Sequence, residues 1–310
     1  MIEALSQRWS TLKLFDKVLI YFFLTLELLI LFFHQNISYP FLRFAAYGGA
    51  ILFLLYIIPI LNSSNHKIIH FLRHWYIILT ITFIYWSVGH LIHMIFPGLF
   101  DGYIISFEEK ISGQLPNIWV QKFENPYLTE IMQISYAVYW ATVPVGAAIF
   151  YFNKRYQEFE YMLFFTLLTF FVSYLLFIII PVAGPRFFLS NQIYISYKGI
   201  FATEFLRSFV EGAGLEGGAF PSSHVAVAIV VLFFVWKYYP KIGKRAFLPA
   251  VIALSVATVY GQYHYLTDVI AGAAMGILIG VIGIRYTEKK LNVSVLVPGN
   301  TAGTPDSSRL

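Results

Sequence analysis

The chain has 310 residues, 58% of them hydrophobic and only 12% charged, against about 25% charged in an ordinary soluble domain. That balance excludes a soluble surface of this size and leaves an integral membrane protein whose helices, joined by short loops, count as one unit. With no cysteine there is no disulfide framework, thiol nucleophile or thiolate metal site, and the net charge of +5 points to nucleic acid or anionic lipid according to how it is distributed.

Residues 1–17, MIEALSQRWSTLKLFDK, place Arg8, Lys13 and Lys17 before the first long apolar run. No small-residue cleavage site follows, so the run reads as an uncleaved anchor. Apolar segments long enough to span lie at about residues 18–34, 44–61, 75–95, 128–152, 161–182, 222–239, 246–264 and 266–286. The expected fold class is therefore all-α, a polytopic transmembrane helix bundle of about eight spans. Its expected division is an N-terminal segment 1–74 with two additional helices, a membrane core 75–290 and a disordered cytoplasmic tail 291–310.

An even number of spans puts both termini on one side. With the N-terminus inside, the inner segments hold 15 of the 21 lysines and arginines and the outer ones 6, an asymmetry that sets orientation. Both termini are expected in the cytoplasm. No nucleic-acid partner and no obligatory protein partner is expected. Two outer loops are long. Residues 97–126 carry apolar residues at helical intervals, as an interfacial helix would, or form a plain connection with a short helix. Residues 184–218, opening on Gly-Pro-Arg and closing on Gly-Leu-Glu-Gly-Gly, read as a flexible cover over the same face.

The stretch from Gly217 to Gly272 organises the rest. His224 follows Pro221, Ser222 and Ser223 at the start of an apolar run, where free backbone N–H groups and the positive helix end favour an anion. Ser222 and Ser223 add hydroxyl donors or cap that helix. His264 comes 40 residues later, two crossings of about 20 residues each, and so returns to the face His224 left. Asp268, four residues on, faces the same way on a helix and is expected to accept a hydrogen bond from one ring nitrogen, leaving the other unprotonated. Arg186 ends the fifth apolar run, and its guanidinium fork suits phosphate oxygens. Plainer readings are a capped helix, a structural His–Asp pair and a snorkelling arginine. His90, His93 and Glu27 read most simply as interhelical hydrogen-bonding residues. A transporter with buried polar groups and a metal site made of His224, His264 and Asp268 are the competing classes.

The segments GPR, FPSSH and YGQYHYLTDVIAG, in that order over residues 180–275, resemble the three motifs of the type-2 phosphatidic acid phosphatase superfamily. The resemblance implies a six-helix core of that type and an active site on the extracytoplasmic or luminal face. It further implies that His264 attacks phosphorus to give a phosphohistidine-type intermediate, Asp268 orients it and His224 protonates the leaving oxygen. Arg186, Ser222 and Ser223 would hold the phosphoryl oxygens. No cofactor and no metal is required in such a scheme, and membrane lipids are its donor and acceptor. Two departures stand out: positions 172–179 hold no lysine, and Ala257 and Thr258 stand where a Ser-Arg pair usually opens the third motif. With HYxxD and DGYIISFEEKISGQLP, these departures are similar to the branch of inositol phosphorylceramide synthase and sphingomyelin synthase. That branch transfers headgroups between lipids, and a lipid phosphate phosphatase is the alternative.

Overall fold

The computed structural model describes residues 2–64, 66–191 and 198–296. Helix α1 (Ile2–Thr11) and α2 (Leu14–Phe33) are separated by a turn that Asp16 fixes by accepting the Lys13 amide at 2.8 Å. Two long helices follow, α3 (Pro40–Asn62) and α4 (Lys67–Gly89), then the short α5 (Asp101–Ser112) and α6 (Pro116–Trp119). Helix α7 (Pro126–Phe152) starts where Pro126 pre-sets the backbone and the Asn125 side chain accepts the Leu128 amide at 2.9 Å. After α8 (Tyr156–Ile179) come the single turn α9 (Pro185–Phe188) and α10 (Thr203–Ala213). The chain ends in α11 (Ser223–Tyr238), α12 (Pro240–Ile242), a π-helical turn at Gly243–Phe247, α13 (Leu248–Tyr260) and α14 (Leu266–Leu296).

The fold is an all-α membrane bundle, and among the described residues the only β pairing is an isolated Val182–Gly218 bridge. Six stretches are long and apolar enough to cross a membrane: α3, α4, α7, α8, Pro240–Tyr260 and α14 as far as Asn292. The other two expected spans are α2, which carries Asp16, Lys17 and Glu27, and α11, whose 16 residues reach about 24 Å. The third span starts earlier than its hydropathy indicated, at Lys67, because Arg73 and His74 are buried. Residues 291–296, expected in an unstructured tail, continue α14; the rest of that tail lies outside the described residues.

Helices α8 and α11 form the centre, with α11 burying nearly every side chain from Val225 to Val235, whereas α3 and α4 bury few. Helix α2 lies along α8, where Phe22 stacks on Phe171 at 4.0 Å, and α3 packs on α2. Along α14, Gly272, Gly276 and Gly280 face α11. A Cβ at Gly272 would lie 2.4 Å from the Ser222 carbonyl oxygen, and one at Gly276 2.6 Å from that of Ala226. Small residues let two backbones approach in this way where no water-driven collapse pulls helices together.

Candidate active site

Three loops meet at one end of the bundle. The loop leaving α8 is fastened to the loop before α11 by Val182 N–H to Gly217 O (3.1 Å) and Ala219 N–H to Val182 O (2.9 Å). It is fastened to the α13–α14 loop by Arg186 N–H to Gln262 O at 3.0 Å. Gly184, at φ +88°, is required there, since a Cβ would meet the Tyr263 carbonyl at 2.9 Å. Ser222 N–H donates to the Asp268 backbone carbonyl at 2.9 Å and closes the ring of loops.

This brings the two histidines together. His264 Nε2 lies 3.4 Å from His224 Nδ1, and His224 Nε2 lies 3.1 Å from the Tyr136 hydroxyl. His264 Nδ1 donates to the Ala219 carbonyl at 2.9 Å. That bond fixes the tautomer in which Nε2 carries the lone pair. Donors and acceptors then run one way: Tyr136 O–H to His224, His224 Nδ1–H to His264. Burial, helped by the positive field of Arg186, lowers the His264 pKa to about 3.

Asp268 lies beside His264, as the spacing placed it, but does not take the ring proton. Its Oδ2 accepts the Tyr265 amide at 2.8 Å and stands 3.5 Å from His264 Nδ1, behind the Ala219 carbonyl that takes the ring proton. Its Oδ1 is buried without a partner. Asp268 therefore lies on the Nδ1 side of His264 and His224 on the Nε2 side, so the three do not gather around one ion. Among the described residues no group of three His, Cys, Asp or Glu is placed to hold a metal.

Arg186, Ser223, His224 and His264 line a cavity of about 500 Å³ that continues between α4, α7 and α8 past Tyr85, Tyr139 and Tyr174. Arg186 is the one arginine or lysine lining it, and its Nη1 is buried without a hydrogen-bond partner. The guanidinium lies 4.6 Å over the Phe187 ring and 5.4 Å over that of Tyr263. Ser222 is fully buried, and its Oγ accepts the Val225 amide at 3.4 Å, so it caps α11 from behind the cavity wall. Of the two serines, Ser223 is the one at the cavity.

The PAP2 superfamily model matches residues 103–282, more than half of the chain and all three loops. The chain belongs to the PAP2 superfamily. Membership supports an integral-membrane enzyme of the lipid phosphatase or phosphotransferase type. A PA-phosphatase related-family protein of Dictyostelium discoideum is 27% identical over 123 residues, 38% of this chain and 22% of that relative's length. No solved structure matches.

Helix α5, at the start of the PAP2 match, holds residues that the sequence did not single out. The segment expected to lie in the interface turns two of this helix's three carboxylates inward: Asp101, Ile104 and Glu108 are buried, while Tyr103, Phe107, Glu109 and Ile111 are exposed. Asp101 accepts the Ala183 and Gly184 amides at 2.8 and 2.9 Å and the Tyr265 hydroxyl at 2.9 Å. Glu108 accepts the Thr267 amide at 2.5 Å at the start of α14, and burial raises its pKa. Asn117 donates to the carbonyls of Val259 and His264 at 3.2 and 3.1 Å. The signal available was the seven-residue spacing of Asp101 and Glu108, which puts both on one helix face. Helical amphipathicity, read in the usual way, turns that face outward.

Proposed function

We propose that the protein transfers a phosphorylated headgroup from one membrane lipid to another through a phosphohistidine on His264. The His264 Nε2 lone pair attacks phosphorus, the bond from phosphorus to the donor's lipid oxygen breaks, and that oxygen takes the Nδ1 proton of a His224 held as imidazolium by the negative charge of the bound phosphate, which leaves His224 neutral. In the second half, His224 removes the proton of the acceptor hydroxyl as it attacks phosphorus. The P–N bond breaks, and neutral His264 returns. Asp268, 3.5 Å from Nδ1, lowers the energy of the positive ring without holding its proton. Arg186 and Ser223 face the phosphoryl oxygens, with the orphaned Arg186 Nη1 as a donor in waiting.

The observation that carries the transfer reading is the single cation of the cavity. A phosphodiester carries one negative charge and a monoester nearly two at neutral pH, so one guanidinium matches the diester better. The missing motif arginine, replaced by Thr258, and the likeness to the inositol phosphorylceramide and sphingomyelin synthase branch agree with it. The 15 to 6 distribution of basic residues puts this face outside the cytoplasm. Helices α2 and α3 are the two additional spans before the core, whose first helix, α4, starts at Lys67 rather than after residue 74.

The test is purified protein with phosphatidylinositol, other glycerophospholipids or phosphatidate, with and without diacylglycerol or ceramide, following free phosphate and new lipid together. The expected result is a new headgroup-bearing lipid that needs the lipid alcohol. Hydrolysis of phosphatidate or an isoprenyl phosphate at far higher kcat/KM, indifferent to lipid alcohols, would overturn the transfer reading in favour of the phosphatase.

A further inference from the structure

A cavity larger than that at the histidines lies away from them. A groove of about 830 Å³ runs along the outside of the bundle between α13 and α14, floored by Ile229 and Phe233 of α11. It exists because the two wall helices are drawn to different neighbours. The glycines of α14 hold it against α11, while α13 packs chiefly on α7, so α13 and α14 diverge. From Ile277 to Glu288 the groove is 11 residues of helix long, about 16 Å, or one leaflet's half of a hydrocarbon core roughly 30 Å thick. Its wall is hydrocarbon apart from the Ser255 hydroxyl, which is satisfied by the Val251 carbonyl at 2.8 Å.

The groove ends at Lys237, Arg285 and Glu288. Since α11 starts at the histidines and finishes at Lys237, this mouth lies at the opposite membrane face. Lys237 pairs with Glu288, which leaves Arg285, exposed and with no acidic partner among the described residues, as the free charge at the mouth. The helix ends and turn around it carry Lys237, Lys241, Lys244, Arg245, Arg285, Lys289 and Lys290 against Glu288 alone. Trp236, 40% exposed beside the groove, supplies the aromatic body found at headgroup level.

We infer that this groove binds an anionic phospholipid of the leaflet opposite the histidines, one acyl chain lying in the groove and the phosphate meeting Arg285. An apolar slot of leaflet depth accepts the chain of any lipid; the excess of basic residues at its mouth selects a net negative headgroup over a zwitterionic one. The site is distinct from the catalytic cavity and does not depend on which lipid reacts there.

Native mass spectrometry of the full chain in mild detergent, with equal phosphatidylglycerol and phosphatidylcholine, tests it. Phosphatidylglycerol should be retained in preference, and Arg285→Gln should cut that preference roughly fivefold. Ser255→Phe, which fills the groove, should lower occupancy by both lipids, and Val256→Phe repeats the test should that variant not fold. Equal retention of the two lipids by the unaltered protein would overturn the inference. So would an unchanged preference in Arg285→Gln with unaltered elution and melting, or displacement of the lipid by glycerol 3-phosphate, which would reveal a phosphate site without a chain slot.

Discussion

Two fully buried aspartates, at opposite ends of the bundle, are stabilised in different ways. Asp16 sits between α2 and α4 and meets the Arg73 guanidinium, the Tyr76 hydroxyl and the Lys13 amide, with Lys13 Nζ in turn 2.6 Å from His74 Nε2. Asp101 meets only neutral donors, the amides of Ala183 and Gly184 and the hydroxyl of Tyr265. The ion pair joins α2 and α4 at the end of the bundle away from the histidines. The neutral clamp joins the first-motif loop to the residue beside His264. A buried ion pair can be exchanged for apolar packing with little loss, whereas a carboxylate that collects two amides from one loop and a hydroxyl from another has no apolar equivalent.

Breaking the first arrangement gives the largest effect. Arg73→Met alone leaves Asp16 buried without its cation and should cost about 3–5 kcal/mol in thermal or denaturant unfolding. Activity per folded molecule should stay close to that of the unaltered protein. Loss of turnover with a normal melting curve would show that this end of the bundle also serves the chemistry.

Asp101→Ala should do the reverse, lowering kcat/KM by about two orders of magnitude because a loop that slips by 1 Å misplaces the reacting groups. Asp101→Asn, which can still accept one of the amides, should recover part of it. If both variants melt normally and react normally, the clamp is not what sets the site.

Within the site, His264→Ala should abolish turnover and any trapped phosphoenzyme. His224→Ala should still accumulate some intermediate from a substrate with a good leaving group, since only protonation is lost. Asp268→Asn should slow the reaction only about tenfold, because Ala219 rather than Asp268 holds the ring proton. A collapse to the level of His264→Ala would mean that Asp268 takes the proton during the reaction.

The smallest effect is one of pH. His264 is held down to about 3 by burial, against about 6.5 in an unfolded chain. Between those values the unfolded chain binds the extra proton, so the contribution of His264 to stability is whole above pH 6.5 and falls away as pH drops toward 3. The nucleophilic nitrogen itself stays free at pH 5. The rate of phosphoenzyme formation should therefore show no inflection near pH 6.5 from His264, and an inflection there that persists in His224→Ala would show that His264 titrates in the ordinary range.

The comparison also marks what a sequence discloses. His224 and His264 were legible because 40 residues make two crossings, and Arg186 because a cation at the end of an apolar run is rare. The nearness of Asp268 to His264 was legible too, but not that the Ala219 carbonyl takes the ring proton, since every residue has a backbone carbonyl. Asp101 and Glu108 were hidden by amphipathicity itself: α5 exposes Tyr103, Phe107 and Ile111 and buries these two acids, while Glu109 stays exposed. The division of labour between Ser222 and Ser223 rests on which hydroxyl faces the cavity, a matter of one residue at a helix start.

The glycines of α14 bear on how finely such a site is adjusted. His224 rides the first turn of α11, and His264 stands two residues ahead of α14, so the spacing of the rings is inherited from the spacing of two backbones. At Gly272 and Gly276 those backbones touch: a methyl group at either would need room that a carbonyl oxygen already occupies, at 2.4 and 2.6 Å. The reactive pair is thus gauged by a shim of no thickness, and the tolerance of the whole assembly is the width of a hydrogen atom.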